Sequence, residues 1–186
     1  MALRKIVFYA ENPEPLRKKC EPVRVVNRRA KKLIKDLKDT LGASPDGIGL
    51  AAPQINMHKR VLVVRLAGGS NDEQEPGSPI ALVNPEIIEA GNEKRDFDGC
   101  LSFPDLYAET VRPHYLRVSG LYEDGKSFER VFEGFDAVVV HHEIDHLDGV
   151  LFIDRIEKFE DLYRVHEDEH GRLVKVPLTI ELNSLV

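Results

Sequence analysis

The segment His142-Glu143-Ile144-Asp145-His146 constrains this chain more than any other. On a helix, residues four apart share a face with Cβ atoms about 5–6 Å apart, so His142 and His146 are predicted to point the same way. Two imidazoles so placed can grip one metal ion, with Glu143 beside an open coordination position. A metal held like this acidifies water near neutral pH, and a neighbouring carboxylate can manage the proton. The spacing predicts a buried helix from about Asp136 to Leu147, stopped by Gly149. The chemistry it advertises is metal-assisted hydrolysis.

The remaining elements surround that helix. Asn27 can cap a helix running to Leu41, whose Ala30, Leu33, Ile34, Leu37 and Leu41 form an apolar stripe at helical spacing. The basic residues on the same helix, Arg28 to Lys38, read as its solvated face. Gly47 to Gln54 is rich in small residues, so another group can approach this backbone closely. Arg60–Leu66, Ile80–Asn84 and Glu86–Ala90 read as strands. The segments around Leu101, Leu116–Tyr122 and Ser127–Glu133 continue a β-rich middle, with Asp124-Gly125 as a hairpin turn. Ala67 to Pro79 is polar and punctuated by glycine and proline, which suggests a surface loop. Glu157–His166 is expected to form a brief helix and Val174–Leu182 a final strand. The predicted fold class is α+β, with mostly antiparallel β-sheet around a central helix that carries the histidines, in one domain spanning residues 1–186.

Composition narrows the setting. A formal net charge of −6 gives no general attraction to nucleic acid or to an anionic membrane. The N-terminus lacks the apolar run of a signal peptide, and no segment approaches a membrane span. The two cysteines, Cys20 and Cys100, are too few for a disulfide scaffold. Cytoplasmic localisation is the expectation.

Two histidines do not complete a catalytic metal site, where three protein ligands plus water are usual. A third histidine three residues past Gly149 is excluded, because Phe152 stands there. A glutamate further on, Glu167 or Glu169, is one option, as in thermolysin-like enzymes. The Cys100 thiolate, in the turn Asp98-Gly99-Cys100-Leu101-Ser102, is the other; with two imidazoles it suits zinc or ferrous iron.

Three separated motifs together resemble the peptide deformylase family, in order and in spacing. They are Gly47-Ile48-Gly49-Leu50-Ala51-Ala52-Pro53-Gln54, Asp98 to Ser102, and His141 to Leu147, with Phe152-Ile153-Asp154-Arg155 following. The likeness runs from Leu3 to about Glu157. It implies that Cys100, His142 and His146 bind one divalent metal, Fe²⁺ natively, with Zn²⁺ or Ni²⁺ as replacements in preparations. By the same resemblance Glu143 is the acid/base, and Gln54 and the Leu101 N–H are oxyanion donors. The reaction implied is removal of the N-formyl group from N-formyl-methionyl nascent peptides. Ribosome contact goes with the family, although no residue here marks it. Ile48, Gly49, Phe135, Val138 and Val139 are expected to line the methionine pocket.

The sequence departs from the family pattern at three places. Asp98 stands for a glutamate and is expected to pair with Arg112, holding the turn of Cys100. His141 stands for a glutamine, and its side chain should point about 100° away from His142 around the helix. Tyr107 stands where some members carry an arginine near the peptide.

Overall fold

The computed structural model describes residues 3–66, 78–167, 169 and 172–178. Among the described residues, seven antiparallel strands form one curled sheet: β1 (Gly49–Ala51), β2 (Val61–Val64), β3 (Ile80–Gly99), β4 (Tyr107–Leu121), β5 (Ser127–Glu133), β6 (Leu162–Glu167) and β7 (Leu173–Pro177). Their order is β1-β2-β3-β4-β6-β7, with β5 also paired to β4. The α-helices described beside the sheet are α1 (Glu14–Arg17), α2 (Arg28–Gly42) and α3 (Gly134–Asp148).

The run Val61-Leu62-Val63-Val64 shows why the two long helices lie where they do. All four residues are buried, as expected of a strand covered on both faces. Leu62 and Val64 join the cluster that includes Leu82, Leu116, Val118, Ala137, Val140, Ile144 and Leu147, which is the α3 side. Val61 and Val63 join Leu33, Ile34, Leu37 and Leu41 on the α2 side. Helix α2 is amphipathic and shows its charged face to water, while every residue of α3 from Ala137 to Leu147 is buried. The Asn27 side chain caps α2, accepting from the backbone N–H groups of Arg29 at 2.9 Å and Ala30 at 3.2 Å. Gly149 ends α3 at φ 76°, a left-handed conformation; a Cβ there would sit 2.9 Å from the Arg17 carbonyl carbon.

Several sequence expectations shift. The strands expected at Ile80–Asn84 and Glu86–Ala90 are one long strand, continuing to Gly99 against β4. The gap is a bend: the register shifts between Val83 and Glu86, and Asn84 takes φ 50°. The Asn84 amide holds that bend by bonding both Val23 N–H and Val23 C=O at 2.8 Å. Leu101 lies in a turn and not in a strand. The helix expected over Glu157–His166 is instead a single 3₁₀ turn, Phe159–Asp161, followed by β6. Tertiary pairing overrides the local pattern, because Leu162 and Tyr163 pair with Ala108 and Tyr107. The last strand among the described residues is Leu173–Pro177; residues 179–182 of the expected strand and 67–77 of the expected surface loop lie outside them.

Candidate metal centre and active site

Strands β3 and β4 stay paired up to Gly99↔Tyr107, so the connection 100–106 is a tight turn closing a long hairpin. Within it the Phe103 N–H donates to Cys100 C=O at 2.9 Å. Gly99 is required here, because a Cβ would lie 2.8 Å from the Tyr107 ring that covers it. The turn holds Cys100 against α3. Cys100 Sγ lies 3.2 Å from His146 Nε2, and one donor atom each from Cys100, His142 and His146 fall within 4.8 Å of one another. Among the described residues this is the only His/Cys/Asp/Glu group of three able to hold a metal. One thiolate and two imidazoles, with room for water, fit a catalytic zinc or ferrous iron. The competing ligand Glu169 is not in that group, and the Glu167 side chain lies outside what is described.

Each histidine's ring state follows from its neighbours. Asp98 Oδ1 lies 2.7 Å from His142 Nδ1. An ionised carboxylate only accepts, so Nδ1 carries the proton and Nε2 is left to serve as a ligand. Burial opposes ionisation of Asp98, but His142 and Arg112 overcome it and hold the carboxyl well below the usual range. Burial likewise opposes charge on His142, and Asp98 reverses that, raising its pKa. Arg112 is fully buried and donates to Asp98 Oδ2 at 2.6 Å and to Asp145 Oδ2 at 2.8 Å. Its Nη1 also lies 2.7 Å from His141 Nδ1. A guanidinium cannot accept, so His141 is neutral, and burial pushes its pKa down to about 4. His141 therefore packs in the network that backs the site and stays out of the donor group.

Glu143 projects into the cavity with its carboxylate against Gly49. A Cβ on Gly49 would approach Glu143 Cγ to 2.7 Å, so the close backbone approach foreseen at this glycine is made by the glutamate. Glu143 Oε2 is buried without a hydrogen-bond partner. Burial raises its pKa to about 7, with His142 pulling the other way. A cation next to it would lower that value. Gln54 sits in the 3₁₀ turn Ala52–Ile55; its Oε1 accepts from Ala51 N–H at 2.8 Å, which turns Nε2 towards Cys100 Sγ at 3.4 Å and Ser102 Oγ at 3.2 Å.

Beside these groups lies a cavity of about 290 Å³. Ile48, Gly49, Phe135, Val138 and Val139 all line it, together with Gln54, Asp98, Cys100, Leu101, His142 and Glu143. Sequence reasoning missed Phe97, Phe103, Pro104, Asp46 and Asp105 in the lining. Phe103 to Asp105 could have been found from their place in the turn of Cys100, whereas Phe97 needed the β3–β4 register. Sequence reasoning also missed the Arg155 guanidinium, which donates to both oxygens of Asp145 at 2.9 and 2.6 Å.

Residues 3–161 match the family model described as polypeptide deformylase. A peptide deformylase from Thermomicrobium roseum is 40% identical over 169 residues, covering 91% of this chain and 94% of the relative. Peptide deformylase 1 of Bacillus subtilis is 42% identical over 159 residues, covering 86% and 93%. The crystal structure of a peptide deformylase from Legionella pneumophila superposes with a TM-score of 0.74 at 40% identity, over 84% of this chain and 87% of that one. Sequence, fold and the cysteine–histidine cluster agree, and the chain belongs to the polypeptide deformylase family of metal-dependent hydrolases.

Proposed function

We propose that this chain, in removing the N-formyl group from newly made polypeptides, holds its metal with Cys100, His142 and His146 and moves protons with Glu143. The observation that carries the reading is the convergence of the Cys100 turn with α3 beside the unpartnered Glu143 Oε2. A bound divalent ion supplies Lewis-acid activation of water and of the formyl carbonyl. Fe²⁺ is the native occupant in this reading, with Zn²⁺ or Ni²⁺ as substitutes. Glu143 Oε2 takes the proton of the attacking water and passes it to the leaving amine nitrogen. Gln54 Nε2, anchored through its own oxygen, and the Leu101 N–H donate to the oxygen that gains charge; one such donor is typically worth about 10²–10³ in rate. The methionine side chain fills the apolar part of the cavity against Ile48, Phe135, Val138 and Val139, with Gly49 along the peptide backbone. Asp98 and Arg112 fix the orientation of His142. In this reading the site of action is the cytoplasm, on chains emerging from the ribosome.

The test pairs formyl-Met-Ala-Ser with acetyl-Met-Ala-Ser on metal-analysed protein. Formate release from the first alone, scaling with one metal per chain and lost in Glu143→Ala with metal retained, is the expected result. An active Glu143→Ala enzyme would remove the acid/base assignment.

A further inference from the structure

Three aromatic rings step outward from the cavity across neighbouring strands. Phe97 of β3 stacks on Tyr107 of β4 with centroids 5.2 Å apart and planes at 29°. Tyr107 stacks in turn on Tyr163 of β6, at 6.3 Å and 26°. Over the Tyr163 ring, 4.4 Å from its centroid, lies the ammonium of Lys175 from β7, which is tied to Glu109 at 2.8 Å. Phe97 and Tyr107 line the cavity; Tyr163 does not and is almost wholly buried. Phe97, by contrast, is 45% exposed at the cavity rim. Tyr107 has little freedom to shift, with the Gly99 backbone under its ring and an aromatic neighbour on either strand.

With the methionine side chain in the apolar part of the cavity against Ile48, Phe135, Val138 and Val139, the residues that follow it lie towards the rim where Phe97 and Tyr107 stand. There the next side chains meet a preformed pair of rings, and a preformed apolar surface loses little entropy on binding. Resting on the deformylase reading, we propose that the β6–β7 hairpin backs the substrate cleft from behind: Tyr163 is a positioning residue that props Tyr107 and Phe97 as a shelf, and the shelf selects peptides with an aromatic residue at one of the two positions after formyl-methionine. The hairpin lies beyond residues 3–161, the segment that matches the family model.

Steady-state kinetics of the metal-loaded protein on formyl-Met-Ala-Ala, formyl-Met-Phe-Ala and formyl-Met-Ala-Phe test this. The better aromatic peptide should exceed the alanine peptide by roughly 3- to 10-fold in kcat/KM, the range an aromatic pair provides. In Tyr163→Leu that preference should fall below about 2-fold, the loss appearing in KM for the aromatic peptide; Tyr163→Phe, which keeps the ring, should restore it. Phe97→Ala, at the exposed rim, should abolish the preference without threatening the fold. An unchanged preference in Phe97→Ala overturns the shelf, and an equal loss on all three peptides in Tyr163→Leu overturns the positioning role. If the wild-type protein leaves formyl-Met-Ala-Ala untouched, the deformylase reading itself falls and the shelf falls with it; a turnover without aromatic preference refutes the shelf alone.

Discussion

Replacing Arg112 with methionine should be among the most damaging single changes away from the donor group. The guanidinium is fully buried and neutralises two carboxylates, Asp98 and Asp145, through bonds of 2.6 and 2.8 Å. Removing one partner of a buried ion pair costs about 3–5 kcal/mol, because the other charge stays behind without compensation. Two abandoned carboxylates would suggest twice that, but neither is left bare. Asp145 keeps Arg155 at 2.6 Å, and Asp98 keeps Thr110 Oγ1 at 3.0 Å and His142 Nδ1 at 2.7 Å. We therefore expect about 3–5 kcal/mol, a large share of the roughly 5–15 kcal/mol that stabilises a typical domain. At about 2–4 °C per kcal/mol, the unfolding midpoint should fall by roughly 6–20 °C in a thermal melt followed by circular dichroism. Metal affinity should fall about 10–100-fold in a chelator titration, since Asp98 loses the group that fixes it against His142. Arg117→Met is the control, because its ion pairs to Glu89 and Glu129 are solvent-exposed and each such pair is worth about 0–1 kcal/mol. If Arg112→Met melts within a degree or two of Arg117→Met, the buried network is not what holds the helix and the Cys100 turn together.

Gly49→Ala should keep its metal and its melting point within a few degrees yet lose about 10²–10⁴ in kcat, because the new methyl occupies the space of the Glu143 carboxylate; metal analysis beside kinetics decides it, and full activity would mean that the glutamate acts from elsewhere. Cys20 should resist alkylation at pH 8 in the native protein and react after denaturation, since burial pushes its thiol up to about 11 and leaves little thiolate; mass spectrometry of the Cys20 peptide reads the outcome. Burial works against ionisation of Asp36, but Arg4 at 2.7 Å and Lys32 at 3.0 Å lower its pKa overall. Its stabilisation is thus complete above the unfolded value of about 3.9 and is lost as pH falls through the lower folded value. Urea midpoints should show Asp36→Asn weaker than wild type at pH 7, with the gap closing in acid; a constant gap would assign the loss to packing instead.

The helical part of the donor group was legible because it is local. His142 and His146 stand four apart on one helix, which puts them on one face, and Glu143 follows the first of them directly. Cys100 was only one of several ligands that the residues allowed, since a turn seen in isolation does not reveal what it faces. Its partnership depends on where β3 and β4 stop pairing, and that register is set by side chains up to twenty residues away. For the same reason β3 was read as two short strands: Asn84-Pro85 looks like an ending in sequence, yet the Asn84–Val23 bonds make it a bend. The segment after Glu157 was misjudged because the pull of Tyr107 on Tyr163 is invisible from local propensity. The Arg155–Asp145 bond carried no sequence signal either.

The alternation along β2 has a consequence for how this protein tolerates change. Val61–Val64 is a partition with an inhabited room on each side, and parity decides which room a substitution disturbs. Leu62 and Val64 touch the packing of the helix that carries the chemistry, so volume changes there should appear in turnover before they appear in melting. Val61 and Val63 pack in the layer under α2, so the same changes there should weaken the molecule before they slow turnover. A scan of four consecutive residues would thus separate fitness for folding from fitness for reaction, position by position, within a single strand.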